Sequence, residues 1–144
     1  MFFRCFFVGL LAVVLAGPAV AQPDAVAARK ALMIESENQA FTVVQMMRGE
    51  LAFEPPLVAA AFAQWFDAAQ KLPGLFPENS KSGGAAPMIW VNRKDFDEKA
   101  VQFGKAVAAN RAKAIASLEG LQAAIPAIAA SCDACHNAYR VPQN

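Results

Sequence analysis

One histidine, one tyrosine and three cysteines are all that these 144 residues offer of those types. The scarcity narrows the chemistry. A structural zinc site needs four protein ligands, and no second ligand pair accompanies Cys132, Cys135 and His136. Charge of one sign is also missing: 13 basic side chains face 12 acidic ones. Without basic clusters the chain gives no sign of binding nucleic acid or a membrane surface. Alternating β-branched stretches are scarce, which argues against a sheet. No internal repeat, low-complexity tract or second domain is visible, and the length suits one domain. No general base, nucleophile or substrate cleft shows in the residue types, so an enzyme is not expected.

The one long apolar run stands at the start. MFFRCFFVGLLAVVLAGPAVAQ carries Arg4, an uncharged stretch from Cys5 to Ala16, a Gly17-Pro18 break and then Ala19-Val20-Ala21. That order is a secretory signal peptide over residues 1–21, cleaved after Ala21. The run falls short of the ~20 apolar residues needed to cross a bilayer. Cleavage removes Cys5 and Arg4, leaving a near-neutral mature domain, 22–144, with only Cys132 and Cys135. The destination is the periplasm, with no membrane attachment afterwards.

Helical spacing dominates the mature chain. A first helix is predicted from about Pro23 to Arg48, with Met33, Ala40, Val44 and Met47 on one stripe, ending at Gly49. Pro55-Pro56 suits a helix start, and LVAAAFAQWFDAAQKL carries the second helix to Leu72. LPGLFPENSKSGGAAP is a connector whose Leu75 and Phe76 predict packing. A third helix begins around Pro87 or Asp95 and presents Phe96, Ala100, Phe103 and Val107. Ser117 is the expected N-cap of the last helix, which runs to about Arg140 with Pro126 inside it. Short links between long amphipathic helices predict an all-α, antiparallel up-down-up-down four-helix bundle.

The chemistry sits in SCDACHNAYR, residues 131–140. A thioredoxin-like pair wants a strand before its helix, and an inert disulfide across two residues within a helix is poorly placed. Covalent haem attachment accounts for every residue. Cysteines three apart share a helix face, so both sulfurs reach the vinyl groups of one porphyrin. The histidine directly after them projects beneath the ring toward the iron. C-x-x-C-H is the recognised attachment sequence, and export agrees with it. The expected cofactor is one haem c on Cys132 and Cys135, with His136 as proximal iron ligand.

At this point the chain resembles the class II cytochromes c, the cytochrome c′ family, and most resembles its low-spin, methionine- and histidine-ligated members. The stretches that carry the resemblance are RKALM (29–33), MRGE (47–50), KLPGLFPENS, PMIWVNRKDF (87–96) and CDACHNAYR, in the family's order. The resemblance implies a position on the first helix that covers the far side of the iron, and Met33 occupies it. It also implies that Arg29 lies near a haem propionate, with solvent as the alternative, and that Trp90 and Phe96 stand beside the ring. Arg140, one turn after His136, either approaches the proximal imidazole or caps carbonyls at the helix end.

Axial rise supports Met33. In an antiparallel bundle the start of the first helix lies beside the end of the last. His136 is about eight residues from the end and Met33 a comparable distance inside, so at ~1.5 Å per residue their levels match. Met46 and Met47 are displaced by ~20 Å. Met88, at the entry to the third helix, is the rival from the same end of the bundle. The ordinary role of either methionine is that of a flexible core filler.

The leading expectation is therefore a low-spin haem electron carrier, serving redox partner proteins that the sequence does not identify. The alternative is a five-coordinate site in which Met33 only covers the iron and a small diatomic gas such as nitric oxide binds. Peroxidase-like activity is disfavoured because the sole histidine is proximal. The family implies pairing through its first two helices, and PPLVAAAFAQWF has apolar residues to spare, so monomer and homodimer both stay open.

Overall fold

A computed structural model describes residues 24–141; the signal-peptide reading of 1–21 lies outside them. Helix α1 spans Ala25–Met47, α2 Pro55–Lys71, a short α3 Met88–Val91, α4 Arg93–Ala116 and α5 Leu118–Tyr139. The four long helices form an antiparallel bundle. Among the described residues the only β pairing is an isolated bridge between Ala85 and Arg140.

Local chemistry sets the boundaries. The Asp24 carboxylate accepts from the Val26 amide and opens α1, while Gly49, with φ +74°, supplies the left-handed residue that lets the chain leave it. Pro55 and Pro56 occupy the first turn of α2, where their missing amides cost nothing. Pro126 remains inside α5 on an exposed face, and the helix continues to Tyr139. The third predicted helix is the one that differs. It comes in two pieces, because Asn92 leaves helical geometry at φ −117° and ψ 54°, and α4 starts anew at Arg93.

The α4–α5 junction is a single extended residue, Ser117, whose hydroxyl accepts from the Gly120 amide. So tight a reversal brings Gly120 against the end of α4: a Cβ there would collide with the Lys113 carbonyl oxygen. Gly120→Ala is expected to lower stability by about 2 kcal/mol, in the range of overpacking substitutions. Urea unfolding of the mature protein checks it, and an unchanged midpoint would show that the junction yields freely.

Two apolar clusters fill the bundle. The larger one joins Val43, Met46, Val58, Phe62, Trp65, Val107, Leu121 and Ile128. Of the apolar residues in PPLVAAAFAQWF, Val58, Ala61, Phe62 and Trp65 go into it, while Leu57 and Phe66 remain exposed. The smaller cluster joins Phe76, Ile89, Phe96 and Tyr139 at the other end, roofed by the 72–91 connector. Packing between helices is uneven. Helices α4 and α5 are closely apposed, whereas α1 meets α5 only sparingly. That gap between the first and last helices is where the site lies.

Candidate cofactor site

A cavity of about 570 Å³ opens between α1 and α5, within the size range of cofactor pockets. Met33 lines it from α1; Cys135 and His136 line it from α5. Phe96 and Ile89 add walls at the smaller cluster's edge, and Arg29 and Arg140 stand on its margin. Met33 and His136, more than a hundred positions apart in sequence, thus line one chamber. Met88 does not line it and is half exposed, and Met46 is buried in the larger core.

The C-x-x-C-H turn straddles the two cores. Cys132 packs against the larger cluster and Cys135 against the smaller one, so the motif sits at their seam. Neither cysteine is in a disulfide. Burial, above all, pushes both thiols up from their ordinary pKa; Asp133 adds to this at Cys132, while Lys99 opposes it at Cys135. Thiols held protonated in this way are unlike the acidified cysteine of a redox couple. No group of three or more metal-binding side chains of the His, Cys, Asp and Glu types occurs among the described residues.

His136 is half-buried. Desolvation lowers its pKa, and the Arg140 charge adds to the effect against a smaller opposing pull from Asp133. Both main causes favour the neutral imidazole, the form that binds metals. The donor set is therefore a neutral imidazole and two thiols on one helix, with a thioether on the facing helix. With its aromatic walls, that set fits haem c.

Arg29 has a structural role besides its place at the cavity. It is 4% exposed, which removes the solvent alternative. Its guanidinium donates to the Leu75 carbonyl at 3.3 Å, to Ser80 Oγ at 3.0 Å, to the Ser80 carbonyl at 2.8 Å and to the Ser82 carbonyl. It also lies 4.7 Å above the Phe76 ring. Arg29 thus lines the cavity while tying the connector to α1. Arg93 ties the connector to α4, donating to the Pro73 and Phe76 carbonyls.

Phe96 is 1% exposed and meets Phe76 and Tyr139 edge-on, at 4.8 and 5.3 Å between ring centres. Trp90 is not among the cavity's lining residues. Its indole donates to the Phe76 and Pro77 carbonyls at 3.2 and 3.1 Å, so it backs Phe76, which it meets at 6.0 Å. Arg140 lies on the rim; its own amide closes α5 by donating to the His136 carbonyl, and its backbone pairs with Ala85.

Tyr139 and Asp95 carried no assigned role in the sequence. Three residues beyond His136, Tyr139 falls near the same helix face, and its hydroxyl donates to Asp95 Oδ2 at 2.5 Å. Burial first, then this bond, pushes the phenol from 10.0 up to about 12. The bond is also the main reason that the Asp95 carboxyl falls below its ordinary 3.8. The neutral phenol's contribution to stability is whole below pH 10 and is lost as pH rises through about 12. The carboxylate's contribution is whole above about pH 4 and is lost as pH falls through its depressed folded value. Tyr139→Phe is expected to flatten both limbs of a plot of urea midpoint against pH. Curves that stay parallel to the parent's would show that the pair contributes nothing.

The family model described as cytochrome c′ matches residues 24–140. The chain is 33% identical over 137 residues to a cytochrome c′ of Rhodopseudomonas palustris, covering 93% of each. To a cytochrome c-556 of the same organism it is 30% identical over 135 residues, covering 89% of this chain and 90% of that one. The solved cytochrome c′ from Rhodopseudomonas palustris superposes with a TM-score of 0.79 at 31% identity, over 85% of this chain and all of the other.

Proposed function

Because the chain belongs to the cytochrome c′ family, whose prosthetic group is covalently attached haem c, we propose that it is a periplasmic, low-spin electron carrier. Cys132 and Cys135 would hold the haem as thioethers, and His136 and Met33 would bind its iron. The observation that carries this reading is that Met33, unlike Met46, Met47 or Met88, lines the chamber that His136 enters from the opposite helix.

The bound haem supplies a one-electron couple. The protein's part is to hold both ligands in place through the change of oxidation state, so that little has to reorganise. Met33 offers a thioether, which favours the reduced state relative to harder ligands. His136, kept neutral by burial, offers its imidazole without first losing a proton. Phe96 and Phe76 exclude water from one wall and lower the local dielectric. Export by the 1–21 leader agrees with the periplasmic assignment, and no helix among the described residues is long and apolar enough to cross a membrane. The redox partners are proteins of the same compartment.

The second reading is a five-coordinate site for a diatomic gas such as nitric oxide, with Met33 as cover and not as ligand. The likeness to a protein named cytochrome c′ favours it. Mixing the reduced protein with carbon monoxide separates the two. An electron carrier shows a low-spin spectrum and takes up the gas slowly, limited by release of Met33. Rapid uptake by a high-spin protein would establish the gas-binding reading instead.

A further inference from the structure

Polar side chains from α2 converge on the turn of α1 that carries Met33. Gln64 Nε2 donates to Ser36 Oγ at 3.2 Å and lies 3.5 Å from the Leu32 carbonyl. Ser36 Oγ donates in turn to that same carbonyl at 2.9 Å. The neighbouring Trp65 donates its indole N–H to the Ser36 carbonyl at 3.1 Å. Leu32 and Ser36 are four apart and face α2 together, while Met33 and Ser36 line the cavity. The same turn is thus gripped on one side and presents its thioether on the other.

Gln64 accepts an energetic penalty in that position. Its Oε1 is buried with no hydrogen-bond partner among the described residues, and an unsatisfied buried acceptor is destabilising. A leucine would fill similar space without that cost, and Ser36 Oγ would keep its bond to Leu32. Stability alone therefore does not explain a glutamine here. What the amide does contribute is directional: it fixes the rotation and height of the Met33 turn against α2.

We propose that Gln64 is the positioning residue for the distal ligand, holding Met33 at the iron through Ser36 and the Leu32 carbonyl. The proposal rests on Met33 being a ligand. A ligand held in place keeps the competent site closed, and the apparent affinity for an incoming gas falls in proportion to the open fraction that remains. Loosening the turn raises the open fraction without removing the thioether.

The test compares the haem-containing wild type with Gln64→Leu and Ser36→Ala. In Gln64→Leu the urea midpoint is expected to stay level or rise, while carbon monoxide affinity of the reduced protein rises about three- to tenfold. Amide hydrogen exchange over residues 33–37 should quicken. Ser36→Ala should shift affinity the same way, and the double variant should add little to either single change, as expected for one relay. A low-spin wild type with Gln64→Leu unchanged in affinity and exchange overturns the positioning role alone. A Gln64→Leu protein that loses stability together with its ligation shows a structural role and also overturns it. A wild type that is high-spin overturns both the ligation reading and this one.

Discussion

Met33→Ala is expected to raise the affinity of the reduced protein for carbon monoxide by about 100-fold, with a change from low-spin to high-spin spectra in both oxidation states. If the thioether occupies the iron ~99% of the time, a competing ligand binds as though only ~1% of the protein were available, and removing the thioether abolishes that factor. The side chain lies on the wall of an accessible chamber, not in the close-packed larger core. Truncation therefore leaves the bundle's main packing intact. Gas titration followed by visible absorption measures the effect. Equal affinities for variant and parent would mean that Met33 never held the metal.

Arg29→Ala is expected to cost about 3 kcal/mol, because it strips the donor from a buried hydroxyl and three carbonyls at once. Such a loss is a large part of the ~5–15 kcal/mol that holds a domain together. Its local effect is predictable too. The connector over Leu75–Ser82 loses its tether to α1, so trypsin should cut after Lys81 faster than in the parent, even under conditions where the bundle stays folded. Arg29→Lys should recover under half of the stability, since one ammonium does not reproduce a planar fork reaching four acceptors. Urea midpoints and timed proteolysis check both variants. Alanine at parental stability and resistance would show that Arg93 alone suffices to hold the connector.

These two residues also show what was legible in the sequence. The place of Met33 on the chamber wall was readable because it depends on rise along a helix, a quantity fixed by counting residues in a bundle whose topology the short links dictate. The C-x-x-C-H turn, the Pro55-Pro56 start and the Ser117 cap are similarly local, each complete within a few positions. Arg29 is the opposite case. Its acceptors lie 46 to 53 positions away, on a connector whose path depends on how Phe76 packs, and no periodicity encodes that path. The break at Asn92 escaped for a related reason. Helix formers stand on both sides of it, and the interruption arises where the chain turns Trp90 back onto the Phe76 and Pro77 carbonyls. The Tyr139–Asp95 bond, across 44 positions, was equally out of reach. Polar contacts of this kind carry much of the site's shaping, and they are long-range by nature.

The most direct measurement is a carbon–proton NMR spectrum of the reduced mature protein with 13C-labelled methionine methyls. The expected result is one sharp methyl signal carried far upfield by the haem ring current, absent from Met33→Leu, with the signals of Met46, Met47 and Met88 left near their ordinary positions. A wild-type spectrum without such a sharp upfield methyl, or one in which it persists in Met33→Leu, would contradict the ligation of iron by Met33.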